Sequence, residues 1–107
     1  MSKYQQPNMQ NLMKQAQKMQ QEMAKVQAVI AASEYTGTSG GEAVKITVTG
    51  EKKVKEIIID EELLNPEDRE MLCDMLAAAF NDAMEKCETD TQTRMGALTG
   101  GMRMPGM

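Results

Sequence analysis

Apolar residues recur along the first third of the chain at alternating steps of three and four residues. The seam that they form comprises Met9, Leu12, Ala16, Met19, Met23, Val26 and Ile30. This spacing is the a/d pattern of a heptad repeat, and it predicts one coiled-coil-like helix over residues 9–33 that packs along a narrow stripe. Such a helix is about 36 Å long, comparable to the full width of a compact domain of about 100 residues. Part of the seam must therefore stay exposed or meet a second helix, from this chain or from a copy of it.

Short β-type segments follow the helix. Residues 34–38 and 43–49 are separated by the turn sequence SGGE at 39–42. In the second segment every other residue is apolar, namely Val44, Ile46 and Val48. This alternation predicts a strand with one buried face.

A third strand is predicted at 52–60, where Val54 is out of phase with the isoleucines at 57 and 59. Two explanations fit this change of phase. The strand contains a bulge near Lys55 and Glu56, or its later part is buried on both faces.

The last element is a long helix. Asn65 is predicted as its N-cap and Pro66 as its first residue, and the helix continues to about Leu98, before Gly100 and Gly101 end it. Its predicted apolar face consists of Leu72, Met75, Leu76, Ala79, Phe80, Ala83 and Cys87. The order α-β-β-β-α predicts a single α+β domain over residues 1–107, with 1–8 and 101–107 expected to be flexible tails.

The residues that support enzyme chemistry are scarce. The chain has no histidine and two cysteines, which excludes Ser-His and Cys-His nucleophile pairs, zinc sites with histidine and four-cysteine sites. Cys73 and Cys87 lie about 21 Å apart if they share one helix, too far for an intrachain disulfide, and an intersubunit redox role for either is left open. The carboxylates at 60–62, 67 and 68 are better explained by helix capping than by a calcium site. We therefore expect a protein that is not an enzyme, with no catalytic residue, metal, cofactor or small-molecule substrate.

No apolar run approaches the length of a membrane span, and the N-terminus lacks the features of a signal peptide. Together with reduced cysteines, this predicts a cytoplasmic protein without a membrane partner.

Positive charge is concentrated in the first helix. Residues 1–33 carry four lysines and one glutamate, a net charge of +3, although the whole chain has a net charge of −4. Lys14, Lys18 and Lys25 fall at heptad positions f, c and c, opposite the apolar seam. A solvated helix face is the ordinary interpretation, and contact with nucleic-acid phosphates is the functional one. Other candidates for such contact are Lys52, Lys53, Lys55, Arg94 and Arg103.

Four segments, in this order and with these gaps, carry a resemblance to a known family. They are LMKQAQKMQQEM at 12–23, VKITVTG at 44–50, MLAAAFNDAMEK at 75–86 and LTGGM at 98–102. From about Met9 to the C-terminus the chain closely resembles the YbaB/EbfC family of bacterial nucleoid-associated DNA-binding proteins.

The resemblance implies a fold, a partner and a location. The implied subunit has a three-stranded antiparallel sheet with long projecting N- and C-terminal helices. Two subunits form a tweezer-like homodimer that clasps double-stranded DNA in the nucleoid with limited sequence preference. The implied roles are nucleoid organisation, gene regulation or DNA repair and recombination, with replication or recombination proteins as further partners.

The resemblance implies that Lys14, Lys18 and Lys25 contact DNA, and it implies the same more weakly for Arg94. Many relatives have paired arginines in the third strand and after FNDA, where this chain reads VKEIII and MEKC. One alternative function stays open: a protein-interaction module that grips a partner protein through methionine-rich helical arms, since methionine packs adaptably.

Overall fold

The computed structural model describes residues 6–100 of the backbone and the side chains of residues 9–98. Helix α1 spans Gln6–Ala32, the strands β1, β2 and β3 span Glu34–Ser39, Val44–Thr49 and Val54–Ile59, and helix α2 spans Arg69–Gly100. The predicted α-β-β-β-α order is confirmed. The helix α1 begins three residues before the predicted start. Residues 1–5 and 101–107 of the predicted tails, and Arg103 among the candidate cations, lie outside the described residues.

The three strands form one antiparallel sheet in the order β1-β2-β3. Glu34 of β1 pairs with Thr49 of β2, so the start of β1 and the end of β2 lie at the same end of the sheet. Between β2 and β3 the register shifts by one residue, because Thr47 faces Glu56 and Val48 faces Val54. Lys55 is the extra residue, and the predicted bulge is confirmed. The alternative, a β3 buried on both faces, is wrong because β3 is mostly exposed.

The core lies between α2 and the first two strands. The face of β2 that carries Val44, Ile46 and Val48 is buried, and α2 packs over β1 and β2. The fully buried residues of α2 are small: Ala79, Ala83 and Cys87. Small side chains allow the helix backbone to approach the sheet closely. Phe80 is only half-buried at the edge of this core.

Four polar contacts fasten β1 along α2. Ser39 Oγ donates to the Met75 carbonyl at 2.7 Å, and Thr38 N donates to Asp82 Oδ2 at 3.1 Å. Further along α2, Lys86 Nζ donates to the Thr36 carbonyl at 2.9 Å and the Tyr35 hydroxyl donates to Asp90 at 2.6 Å. The α2 positions rise as the β1 positions fall, so α2 runs antiparallel to β1. Beyond Asp90, α2 therefore extends past the start of the sheet.

The start of α2 differs from the prediction. Residues Pro66–Asp68 form a separate 3₁₀ turn and α2 begins only at Arg69. Asn65 makes no side-chain capping bond, because its Nδ2 donates instead to the Glu62 carbonyl at 2.8 Å and to Asp68 at 3.3 Å. Asn65 is thus the N-cap residue of this 3₁₀ turn, with Pro66 following it as predicted, but its side chain makes no capping bond. Asp60 makes such a bond for the preceding 3₁₀ turn Glu61–Leu63, where its side chain accepts from Glu62 N.

The helix α1 projects from the body as an arm. The described chain measures 82 × 28 × 16 Å, with a radius of gyration of 21.9 Å, against about 13 Å for a compact chain of 100 residues. The predicted seam is covered unevenly. Ile30 is buried and Val26, Met23 and Met19 are half-buried, on a helix whose partner is α2. The distal residues Leu12 and Met9 are 61% and 67% exposed.

Candidate nucleic-acid interface

The outer face of the α1 arm carries positive charge without carboxylates. We define this face as the b, c and f heptad positions from 10 to 28. It consists of Gln10, Asn11, Lys14, Gln17, Lys18, Gln21, Ala24, Lys25 and Ala28, all of them exposed. Lysine and amide side chains can all donate hydrogen bonds to phosphate oxygens. The arm therefore presents a row of donors that a polyanion can approach from solvent.

Most basic residues of the body are instead matched by a carboxylate. Lys45 lies 3.3 Å from Glu42, and Lys86 lies 3.4 Å from Asp82. Lys55 of the bulge forms an ion pair with Glu34. These pairs are exposed and contribute little to stability, but each offsets the positive charge of its lysine. Lys55, a candidate from its sequence position, is thus a weaker phosphate donor than an unpaired lysine.

Arg94, the fourth predicted contact, also has a partner. Its Nε donates to Asp90 Oδ2 at 2.9 Å, and the same oxygen accepts the Tyr35 hydroxyl. The hydrogen bond from Tyr35, followed by that from Arg94, lowers the pKa of the Asp90 carboxyl, so this partner stays ionised. The spacing of four residues between Asp90 and Arg94 was visible in the sequence and already favoured such a pair. The structure does not bring Arg94 and the α1 lysines into one unpaired cluster.

By contrast, Lys14, Lys18 and Lys25 form no ion pair with any described residue. Lys14 and Lys25 are separated by about 16 Å along the helix. All three are exposed on the outer face. None of these three ammonium groups is held in an ion pair of the described chain, in contrast to the Arg94 guanidinium, although Glu22 follows Lys18 by four residues at the border of this face.

Two further lysines lie at the foot of the arm. Lys52 and Lys53 belong to the turn between β2 and β3, where both are exposed and neither has an ion-pair partner among the described residues. The turn contacts the end of α1: Gly50 N donates to the Ser33 carbonyl at 3.1 Å, and a Cβ on Gly50 would overlap the Ile30 carbonyl. Sequence reasoning missed this contact, because a glycine in a hairpin turn has a local explanation.

Other kinds of site find no support in the described chain. Residues 9–98 contain no group of three or more histidine, cysteine or acidic side chains placed to hold a metal ion. Within residues 6–100, neither helix has the length and hydrophobicity needed to cross a membrane. Cys73 is exposed and Cys87 is buried in the core. The exposed lysines of the arm remain the most distinctive chemical feature.

The sequence matches the profile of the YbaB/EbfC DNA-binding family over residues 5–102. The chain belongs to this family. The fold and the family match agree with the resemblance found in the sequence, and the family is one of DNA-binding proteins.

Curated relatives and a solved structure agree with this assignment. A nucleoid-associated protein of Alkaliphilus metalliredigens is 46% identical over 101 residues, covering 94% of this chain and 89% of the relative. A nucleoid-associated protein of Clostridium acetobutylicum is 47% identical over 100 residues, with the same coverages. The crystal structure of an uncharacterized protein from Helicobacter pylori has a TM-score of 0.67 at 26% identity, covering 77% of this chain and 86% of that chain.

Proposed function

We propose that this YbaB/EbfC protein is a nucleoid-associated protein that binds double-stranded DNA as a homodimer with limited sequence preference. The observation that carries the proposal is the outer face of α1, where Lys14, Lys18 and Lys25 are exposed and unpaired among the described residues. A protein with a net charge of −4 can hold a polyanion only through such a local surface. The names of the relatives support a location in the cytoplasm, at the nucleoid.

Limited sequence preference follows from the chemistry of the arm. Lysine is a flexible point charge that contacts phosphates well, and phosphate contacts fix position without reading sequence. The described basic side chains also include Arg69 and Arg94, but Arg94 is held by Asp90. A contact surface dominated by lysine therefore favours binding that is similar on different duplexes.

The proposed homodimer rests on apolar surface that the subunit leaves uncovered. Because Ile57 pairs with Ile46 and Val54 pairs with Val48, both β3 residues point to the same side of the sheet as the core. The helix α2 covers only the β1 and β2 part of that side, so Val54 and Ile57 remain 47% and 51% exposed. A two-fold axis would place this patch against its own copy. We assign β3 as the central part of the dimer interface.

The function can be tested with DNA of unrelated sequences. Binding of the purified protein to several duplexes is measured by fluorescence anisotropy across a salt series. We expect similar affinities on all duplexes and a linear decrease of log K with log salt concentration, because counterions are released from the DNA. Absence of binding at low salt would contradict the proposal, and so would strong preference for one duplex.

A second function is favoured by one observation. The distal α1 residues Met9, Leu12 and Met13 are each more than 60% exposed, and methionine surfaces suit adaptable protein contacts. A protein-interaction module that grips a partner through these residues is therefore the alternative. It is favoured if the protein fails to bind DNA, and replication or recombination proteins are then the first partners to assay. Within the main proposal, the process served is nucleoid organisation, gene regulation, or DNA repair and recombination.

A further inference from the structure

The turn between β2 and β3 is held in a defined shape. Thr49 N donates to the Lys53 carbonyl at 2.8 Å, and Lys52 N donates to the Thr49 carbonyl at 2.8 Å. The Thr49 hydroxyl also accepts the backbone N–H groups of Glu51 and Lys53. Lys52 and Lys53 are thus carried by a closed turn, although their side chains extend into solvent.

This turn lies at the end of the sheet from which the arm projects. The pairing of Glu34 with Thr49 places the end of β2 beside the start of β1, directly after α1. The contacts of Gly50 with Ser33 and with the Ile30 carbonyl fix the turn against the last residues of α1. A side chain at position 50 would force the turn away from the arm.

The opposite end of the sheet has the opposite charge. The segment after β3 carries Asp60, Glu61, Glu62, Glu67 and Asp68. Because β3 ends at Ile59, opposite Val44, these carboxylates lie at the end far from the arm. A polyanion is therefore attracted to the arm end and repelled from the far end.

The basic residues at the arm end are carried by α1 and by the turn attached to its last residues. Lys14, Lys18 and Lys25 follow one another along α1 toward Ile30, where the turn is attached. Lys14 and Ile30 are about 24 Å apart along the helix, equal to about seven base-pair steps of duplex DNA at about 3.4 Å each. Glu51 reduces the net charge of the turn to +1, but it forms no ion pair with either lysine.

We propose that Lys52 and Lys53 form a second phosphate-binding site, which Gly50 positions at the foot of the α1 arm. This inference rests on the proposed function, since it assigns a further contact to the same DNA. A duplex that lies along the arm reaches the body of the protein at this turn. The two lysines then hold its backbone where the helix ends.

The experiment must distinguish DNA contact by Lys52 and Lys53 from a purely structural role of the same two lysines. Positive charge near the C-terminal end of a helix is favourable for the helix dipole, and the end of α1 has no basic residue in its last turn. Lys52 and Lys53 would then act on folding stability alone. Such a role changes the unfolding temperature but leaves the salt dependence of DNA binding unaltered.

The test compares two double variants with the same change of net charge. In Lys52→Asn/Lys53→Gln, asparagine suits the positive φ of +67° at position 52. The control, Lys45→Gln/Arg69→Gln, removes two charges near the far end of the sheet. For each folded variant, log K for a random duplex is measured against log salt concentration. We expect the slope of the turn variant to fall by up to about 3.6, from about 0.9 for each of four lysines in a dimer, and the slope of the control to match the parent.

A third variant without the α1 lysines shows which proposal fails. If that variant loses salt dependence while the turn variant keeps the parental slope, the second site is wrong and DNA binding by the arm stands. If the turn variant only unfolds at lower temperature, the helix-dipole role replaces the second site. If the parent binds no DNA, both proposals are overturned. The single variants Lys52→Asn and Lys53→Gln give the same readout at about half the size should the double variant fold poorly.

Discussion

Gly37 determines how closely the sheet approaches α2. A Cβ at this position would overlap the Ala79 carbonyl and the Ala83 backbone N–H. Both obstacles are backbone atoms of a helix, so neither can rotate away. The packing of β1 against α2 therefore requires a residue without a side chain at position 37.

We predict that Gly37→Ala destabilises the protein by about 3 kcal/mol, since overpacking against backbone forces the two elements apart. Gly96→Ala is the matched control. Gly96 lies within α2, a Cβ added there would come within 4 Å of no other element among the described residues, and alanine is the better helix former by about 1 kcal/mol. Urea unfolding should show a lower free energy of unfolding for Gly37→Ala than for the parent, and a slightly higher one for Gly96→Ala. Equal stability of Gly37→Ala and the parent would contradict the observed packing.

A second residue-scale prediction concerns Tyr35. Its hydroxyl is the largest cause of the lowered pKa of Asp90, whereas the pKa of Asp82 is lowered first by the Thr38 N–H and then by Lys86. Removing the hydroxyl with Tyr35→Phe should raise the pKa of Asp90 toward its ordinary value. The pKa of Asp82 should not change. Carboxyl titration by NMR tests both statements in one variant.

The same pair gives a pH dependence of stability. A carboxyl whose pKa is lower in the folded state stabilises the fold above its unfolded pKa of about 3.9. That contribution declines as the pH falls through the lowered folded value. We therefore expect Tyr35→Phe to be less stable than the parent at pH 7 and the difference to narrow below about pH 4. A difference that widens in acid would contradict the assignment.

At the scale of the elements, the heptad spacing from Met9 to Ile30 predicted α1, and the alternation in β2 predicted its buried face. The phase of Val54 indicated either a bulge near Lys55 and Glu56 or a strand whose later part is buried on both faces, and the structure has the bulge. These features are local, so the sequence contains them. The start of α2 was not predictable in the same way, because the side chain of Asn65 is used within the loop that precedes the helix.

In the candidate site, too, local features were predictable from the sequence and contacts between distant residues were not. Exposure of the α1 lysines followed from their heptad positions. The pairing of Arg94 with Asp90 was not predicted, although their spacing of four residues is compatible with it. The contact of Gly50 with α1 depends on residues about twenty positions apart in the chain. The contact forms only when the sheet packs against the helix, so no local sequence pattern predicts it.

The element-scale prediction concerns β3. Ile57 and Ile58 are similarly exposed, at 51% and 49%, but they point to opposite faces of the sheet. Ile57 lies beside Val54 on the proposed interface, whereas Ile58 pairs with Lys45 on a polar face. We expect Ile57→Asp to convert a dimer of about 24 kDa into the 11.8 kDa chain, as measured by light scattering. Ile58→Asp should remain dimeric, and a dimeric Ile57→Asp would exclude this face as the interface.

At the scale of the whole molecule, charge and shape point in the same direction. The arm and the β2–β3 turn hold lysines that have no ion-pair partner within residues 9–98 at one end, and the carboxylates after β3 lie at the other. In the proposed homodimer, the arms of two subunits would together present six α1 lysines to a duplex. At physiological salt, charges separated by more than about 8 Å are largely screened from each other. The local charge of the arm, rather than the net charge of the protein, therefore determines its attraction to DNA.

The most direct test of this account is the salt dependence of DNA binding by Lys14→Gln/Lys18→Gln/Lys25→Gln. Glutamine preserves helix propensity and the apolar seam is untouched, so folding and dimerisation should persist. The control replaces the three ion-paired lysines at 45, 55 and 86 by glutamine, with the same change of net charge. We expect the slope of log K against log salt concentration to fall by up to about 5 for the arm variant and far less for the control. A folded arm variant that keeps both the affinity and the slope of the parent would contradict DNA binding through α1.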